Sequence, residues 1–400
     1  MASATEPEPR PATAKVSATA AVSATAGTGG TAGVSATAAV LRAHDGPYTL
    51  EPVELSEPGP GEVLVRIAGA GMCHTDLLGR FADERGDRLP KPVILGHEGS
   101  GVVEAVGPGE SGGLAAGDHV VLSYDSCGLC ANCRDGRPGY CARMGRLNLA
   151  AVVPDGRPRA FDEAGSPVHN RWFGQSSFAT HAIATVRNTV KVDPEAPIEL
   201  LGPLGCGIQT GAGSVLLALS VRPEEALVVF GAGAVGLSAV MAARLAGADP
   251  IVAVDLHASR RDLALELGAT HALDGADPDL ARRLRALVSD GFHHALDTTG
   301  RPDVVATAVA ALRTTGVCGL VAVGGEDYRL DSTLMLMGRT VRGIIEGDAV
   351  PQTFVPRMLD LWRRGLLPFD RLIQTYPLAD IARAEADALS GTTVKPVLLP

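Results

Sequence analysis

Apolar residues fall along this chain in two different rhythms. In the first half they come in short runs broken by glycine and proline: AAVLRA, YTLEPVEL, GEVLVRIAGAGMC, GSGVVEAVG (99–107) and GDHVVLS. Runs of that length at close spacing predict short strands of an antiparallel, barrel-like unit. After about residue 208 the rhythm changes. Strand-like segments such as ALVVF and PIVAVD alternate with Ala/Leu-rich helical stretches, which predicts a parallel α/β sheet. From about residue 346 the pattern predicts a helix around VPRMLDLWRRG and a final strand, VKPVLLP.

Residues 1–36 show neither rhythm. Ala, Thr, Ser, Gly and Pro dominate, and the unit VSATA recurs at Val16, Val22 and Val34. Such a stretch buries too little apolar surface to offset chain entropy, so a disordered tail is expected, with order beginning near Thr37. Ser and Thr interrupt the continuous apolar run that a signal peptide needs.

Composition narrows the class. The chain has 400 residues, enough for two domains, with 46% apolar and only 4% aromatic residues. Its core must therefore be built from Ala, Val and Leu. With 35 basic against 45 acidic residues the net charge is −10. There is no Lys/Arg run of the kind that holds nucleic acid or an anionic membrane, and no apolar stretch of spanning length. Seven cysteines, an odd number, in so long a chain argue against a secreted disulfide scaffold and for a cytoplasmic protein.

One glycine pattern carries chemistry. In ALVVF-GAGAVG-LSAVMAARLAGADP-IVAVD, Gly231, Gly233 and Gly236 follow an apolar strand and open a helix. A second strand then ends in an acid, Asp255. The first glycine permits a tight turn, the second lets backbone approach a pyrophosphate, and the third lets helix and sheet pack closely. The helix N-terminus favours phosphate charge. Asp255 can accept from the adenosine ribose hydroxyls and would repel a 2′-phosphate, which predicts NAD over NADP.

Four of the cysteines crowd into CGLCANCRDGRPGYC: Cys127, Cys130, Cys133 and Cys141. Four thiolates on a short loop can close a tetrahedral zinc shell with no place left for water, a site that holds a loop and does no chemistry. An iron–sulfur cluster and a redox C-x-x-C are the alternatives; the latter usually opens a helix in a thioredoxin-like unit, absent here. Other potential ligands are scattered: Cys73 and His74 in GMCHTD, His97 and Glu98 in GHE, and Cys206 in PLGCGIQTG. Each alone reads as an ordinary core residue, as does Cys318 in VCGLVAVGG.

From about residue 37 to 400 the chain resembles the zinc-dependent medium-chain alcohol dehydrogenases. The resemblance rests on CHTD (73–76), GHEGSGVVEAVG (96–107), GDHV (117–120), the four-cysteine lobe, GCG (205–207), GAGAVG and Asp255. SSFATHAIA, NTVKV, PIELLGPLGCGIQTGAG and IIEGDAVPQ look like the aryl (benzyl) alcohol dehydrogenase branch. The resemblance implies an α/β architecture: a GroES-like, mostly antiparallel β-barrel catalytic domain (37–207, with its zinc lobe at 127–141), a Rossmann doubly wound parallel-sheet cofactor domain (208–345), and a segment (346–400) returning to the first. It implies two zinc ions per chain, one catalytic and one structural, together with NAD, and a homo-oligomer, dimer or tetramer.

Residue by residue, it implies Cys73, His97 and Cys206 as ligands of the catalytic zinc, with a fourth position left for substrate oxygen. Glu98 corresponds to a glutamate that approaches the metal during ligand exchange, and Asp76 to the acid that orients the zinc-bound imidazole. Thr75 matches the hydroxyl that holds the alcohol and starts a proton relay. The histidine that ends that relay in many relatives is Leu78 here. His74 and Lys395 match groups on the cofactor pyrophosphate, Arg260 a basic residue beside the adenosine ribose, and Thr210 and Val235 residues packed on the nicotinamide. Trp172, Phe173 and Ile345 fall at substrate-lining positions, where a Trp–Phe pair would sandwich an aromatic or terpenoid alcohol. Ser123 stands near a position often filled by a bulky aromatic and would widen the pocket.

The expected activity is the reversible, NAD-dependent oxidation of a primary aromatic or allylic alcohol to its aldehyde. A thiol-dependent formaldehyde dehydrogenase shares both zinc sites but wants a polar pocket. A zinc-free quinone or enoyl reductase would lack the Cys73, His97 and Cys206 set. A non-catalytic NAD-binding relative would not need these ligands and Thr75 intact.

Overall fold

A computed structural model describes residues 33–81, 89–153, 156–322 and 327–400. Residues 1–32, most of the expected tail, lie outside the described residues. Its expected end is corrected: the first strand, β1, begins at Val34 and runs to Leu41, in full antiparallel register with β2 (Tyr48–Leu55). The third VSATA copy is thus sheet. Ala36, Ala38 and Ala39 are buried there, and Ala39 N donates to Phe178 O at 2.9 Å.

Two sheets make up the rest of the first unit. One has the order β4-β1-β2-β7-β8, where β4 is Val93–Ile94, β7 is Ala160–Phe161 and β8 is Pro167–Val168. The other contains β3 (Glu62–Gly71), β5 (Glu98–Val106), β6 (His119–Leu122), β9 (His181–Thr185) and β10 (Thr189–Lys191). It also takes in the two last strands of the chain, β17 (Ile373–Pro377) and β18 (Lys395–Leu399), giving the order β10-β6-β5-β3-β18-β17 with β9 on β3. Pairing is antiparallel except between β17 and β18. Helix α1 (His74–Arg80) follows β3, and the short α2 (Ala131–Arg134) lies in the cysteine-rich lobe.

The third sheet is wholly parallel, with the order β13-β12-β11-β14-β15-β16. Its strands are β11 (Leu227–Phe230), β12 (Ile251–Asp255), β13 (His271–Asp274), β14 (Phe292–Asp297), β15 (Leu312–Leu320) and β16 (Thr340–Gly343). Counted from β11 this is the 3-2-1-4-5-6 order of a doubly wound sheet, whose switch point lies between β11 and β14. Every residue of β11 and β12 is buried, as expected for strands covered on both faces. Helix α3 (Gly207–Gly213) leads into the sheet and α4 (Ala234–Ala246) follows β11, ending at Gly247 with φ +78°. The covering helices are α5 (Ala258–Leu267), α6 (Leu280–Leu287) and α7 (Pro302–Ala311), with the short α8 (Ser332–Leu336) before β16. Helix α9 (Pro351–Arg363) starts earlier than its apolar pattern predicts, because Pro351 occupies its first turn. Helix α10 (Ile381–Ser390) precedes β18. No helix among the described residues is long and apolar enough to cross a membrane.

Candidate active site and metal centres

The glycine turn after β11 is closed by two steric demands. Gly231 has φ +90°, and a Cβ there would lie 2.2 Å from Thr298 Oγ1. A Cβ on Gly236 would lie 1.8 Å from Gly231 O, so α4 rests directly on the turn. Gly233 caps α4, and a Cβ there would meet Arg260 Nη1 at 4.0 Å. Asp255, at the end of β12, accepts from Ala232 N (2.7 Å) and His257 N (2.8 Å), which ties the acid to the turn. A cleft of about 670 Å³ opens here, lined by Gly231, Gly233, Asp255, Arg260, Thr298 and Arg301 among others. It lies at the switch point, where such sheets bind dinucleotides. A second cleft of about 270 Å³ continues from Gly233, Val235 and Arg260 to Cys73, His74 and Lys395.

At the far end of that path four ligand-type side chains converge. Donor atoms of Cys73, His97, Glu98 and Cys206 all lie within 4.8 Å of one another. Cys73 caps α1, His97 immediately precedes β5, and Cys206 caps α3. His97 Nε2 is 3.2 Å from Cys206 Sγ. Ligands about 2.0–2.3 Å from zinc at tetrahedral angles sit roughly 3.6–3.8 Å apart, so the set needs little movement to take the ion. The Cys73 thiol is pulled well below its usual value by the Cys206 sulfur beside it, against burial, and by the Lys395 charge.

Asp76 organises this set. Its fully buried carboxylate accepts from His97 Nδ1 (2.7 Å), Gly96 N (3.1 Å), Cys73 N (3.0 Å) and Trp172 Nε1 (2.9 Å). Holding Nδ1–H fixes the tautomer and aims the Nε2 lone pair at the sulfurs. Thr75 Oγ1 stands 3.8 Å from Cys73 Sγ. Leu78 is 49% exposed.

Lys395 lines the second cleft and has a partner the sequence did not show: its buried ammonium donates to both Glu98 oxygens (2.9 and 2.8 Å) and to Met72 O (3.1 Å). Burial works against that charge, but Glu98 and Cys73 outweigh it and hold the ammonium above the ordinary lysine value. Glu98 also accepts from Gly207 N (3.1 Å), and Gly71 makes room for it, since a Cβ there would lie 2.1 Å from Glu98 Oε2. Trp172 and Phe173 do not form a sandwich. Two rings clasping a third would lie parallel and roughly 7 Å apart. These meet edge-on, with centroids 5.2 Å apart at 71°. Both are core residues: Trp172 buttresses Asp76 and Phe173 stacks on His97 at 4.3 Å. Ser123 widens nothing, because its buried hydroxyl donates to Gly205 O at 2.5 Å, just before Cys206. Ile345 is 39% exposed, beside the cysteine lobe.

The sequence reading passed over Glu346. It is buried, and its Oε2 accepts from Gln209 Nε2 (3.1 Å) and Thr210 Oγ1 (3.4 Å), on the helix that Cys206 caps. Burial pushes its carboxyl up to about 7, against the pull of His97 and Gln209. The available signal was an acid inside the apolar run GIIEGDAV.

The four lobe sulfurs also gather within 4.8 Å, with Cys130 and Cys133 Sγ 3.5 Å apart. Backbone N–H groups point at them: Cys130 N at Cys127, Ala142 N at Cys130, and Cys127 N and Arg143 N at Cys141, all at 3.3–3.4 Å. The Ala142 and Cys133 N–H groups pull the half-buried Cys130 thiol down to about 6. Four soft donors with such support suit zinc.

A dinucleotide cleft leading to a buried Cys/His/Cys set defines a metal-dependent dehydrogenase. Comparison with known proteins makes the class specific. Residues 59–194 match the alcohol dehydrogenase GroES-like domain, and 234–363 the zinc-binding dehydrogenase domain. The chain is 49% identical over 365 residues to the geraniol dehydrogenase of Castellaniella defragrans, covering 90% of this chain and 96% of that one. It is 36% identical to the NDMA-dependent alcohol dehydrogenase of Amycolatopsis methanolica, over 90% and 98% of the two chains. The crystal structure of benzyl alcohol dehydrogenase from Acinetobacter calcoaceticus superposes with a TM-score of 0.87 at 40% identity, over 92% and 99%. The chain belongs to the zinc-dependent medium-chain alcohol dehydrogenase family and is an oxidoreductase.

Proposed function

We propose that this enzyme oxidises primary allylic or aromatic alcohols reversibly to aldehydes with NAD. The observation that carries the reading is the Cys73, His97 and Cys206 set at the end of the cleft from the glycine turn. The names of its relatives, a geraniol and a benzyl alcohol dehydrogenase, supply the substrate class. Zinc supplies Lewis acidity to the substrate oxygen when bound, and NAD accepts the hydride. Cys73, His97 and Cys206 hold that ion, and the four lobe cysteines hold a second. Asp76 keeps His97 in its ligating tautomer, and Thr75 offers a hydroxyl to the alcohol. The N-terminus of α4 takes the pyrophosphate, with His74 beside it, and Arg260 and Asp255 flank the adenosine ribose. Thr210 and Val235 bracket the nicotinamide. With Leu78 in the relay position, the proton leaves to water. We expect a homo-oligomer.

The test compares NADH formation from geraniol and benzyl alcohol with ethanol, with formaldehyde plus a thiol as a further arm. Turnover on the first two at least tenfold above the others supports the reading; preference for ethanol or the thiol adduct discards the substrate class.

Cofactor choice gives a second expected result. Asp255→Gly with Leu256→Arg removes the carboxylate and places a cation at the cleft rim. Like-charge contacts cost several kcal/mol, so the NAD-to-NADP ratio of kcat/KM should fall about 100-fold or more. An unchanged ratio would remove Asp255 as the selector.

A further inference from the structure

One side chain of the cysteine lobe reaches the segment beside the metal centre. Tyr140 lies one residue before Cys141, in the turn Pro138–Tyr140. Its hydroxyl donates to Asp348 Oδ1 (2.5 Å) and accepts from Ile345 N (3.4 Å). Its own backbone is tied into the lobe by Asn132 Nδ2, which donates to Tyr140 O at 2.6 Å. The approach is close: a Cβ on Gly139 would lie 3.1 Å from Ile345 O. Arg342 Nη2 takes the other Asp348 oxygen at 2.6 Å, and its Nη1 donates to Ala218 O at 3.0 Å.

The segment held this way needs holding. Glu346, Gly347 and Asp348 have φ of +52°, +69° and +56°, three successive residues in the left-handed region, two of them with a Cβ. That conformation brings the Glu346 carboxyl onto Gln209 and Thr210. It also seats Gly347 so tightly on α3 that a Cβ there would lie 2.6 Å from Gln209 O. The 345–348 segment is thus pressed between the helix that starts at Cys206 and the lobe that ends at Cys141.

We propose that Tyr140 is a positioning residue: through Asp348 and the Ile345 amide it makes the four-cysteine lobe hold residues 346–348 in their left-handed form, and so sets Glu346 beside the metal centre. The lobe then acts on the reaction without touching it. Its metal rests on the function proposed above; the Tyr140 clamp does not.

The test is hydrogen–deuterium exchange of peptides covering 343–350 in the full chain, for the parent, Tyr140→Phe, Cys130→Ser and the double variant. Tyr140→Phe keeps every cysteine and loses one hydroxyl. It should speed exchange in this segment about tenfold, with other regions and lobe zinc unchanged. Cys130→Ser should speed the same peptides, and the double variant should go no further than the larger single effect. On the alcohol that turns over best, KM should rise severalfold in Tyr140→Phe while kcat holds. Parent-like exchange in Tyr140→Phe overturns the proposal, as do additive effects or acceleration spread over the whole chain. The exchange result stands even if every alcohol is refused, which separates this inference from the substrate reading.

Discussion

Cys73→Ser is expected to abolish alcohol oxidation, with a fall in kcat/KM of about 1,000-fold or more, and to lower bound zinc from about two ions per chain to about one. Sulfur at this position is already drawn toward the thiolate by Cys206 and Lys395, whereas a serine hydroxyl stays neutral and is a poor zinc ligand. Lewis-acid help is worth several kcal/mol of barrier, which sets the size of the loss. The lobe sulfurs keep their own ion, because their supporting N–H groups all come from residues 127–143. Metal analysis and steady-state rates on the same sample check both halves. A variant that kept full turnover or both ions would remove Cys73 from the ligand set.

Lys395→Met is expected to destabilise the protein by about 3–5 kcal/mol, the usual result of stranding one charge of a buried pair. Glu98 is fully buried, and its other donor, Gly207 N, is neutral. Adding Glu98→Gln should recover most of the loss, since the pair as a whole contributes far less than either charge left alone. Urea unfolding of both single variants and the double one measures this. A loss under about 1 kcal/mol for Lys395→Met would show that water reaches Glu98 and that the pair is not sealed.

How much was legible follows from distance along the chain. The glycine turn, Asp255 and the cysteine lobe were readable because each works within one short segment, where spacing encodes geometry. Cys73, His97 and Cys206 lie far apart and needed a resemblance to be joined. The Lys395–Glu98 pair was not legible because its members stand 297 residues apart, and it takes the pairing of β3 with both β18 and β5 to bring them together. Trp172 was taken for pocket because its type suits a substrate; that its indole nitrogen finds Asp76, 96 residues earlier, is a fact of packing. Glu346 left a faint signal, since an acid among apolar residues more often marks a turn than a buried group. The start of β1 was not legible because Ala, Ser and Thr look alike in a solvated tail and in a strand, and what distinguishes this copy of VSATA is its pairing with β2.

The place of β18 has a consequence for biosynthesis. It lies between β3 and β17, so the sheet beside the metal centre lacks an inner strand until residues 395–399 have been made. Translation at roughly 5–20 residues per second puts 297 residues at about 15–60 s. The parallel sheet, with its strands between 227 and 343, emerges complete within that interval. The cofactor half is therefore free to close on the ribosome before β18 exists. Until then β3 lacks its partner at Ala70 and Gly71, and Glu98 lacks its lysine, the period in which a chaperone has most to protect.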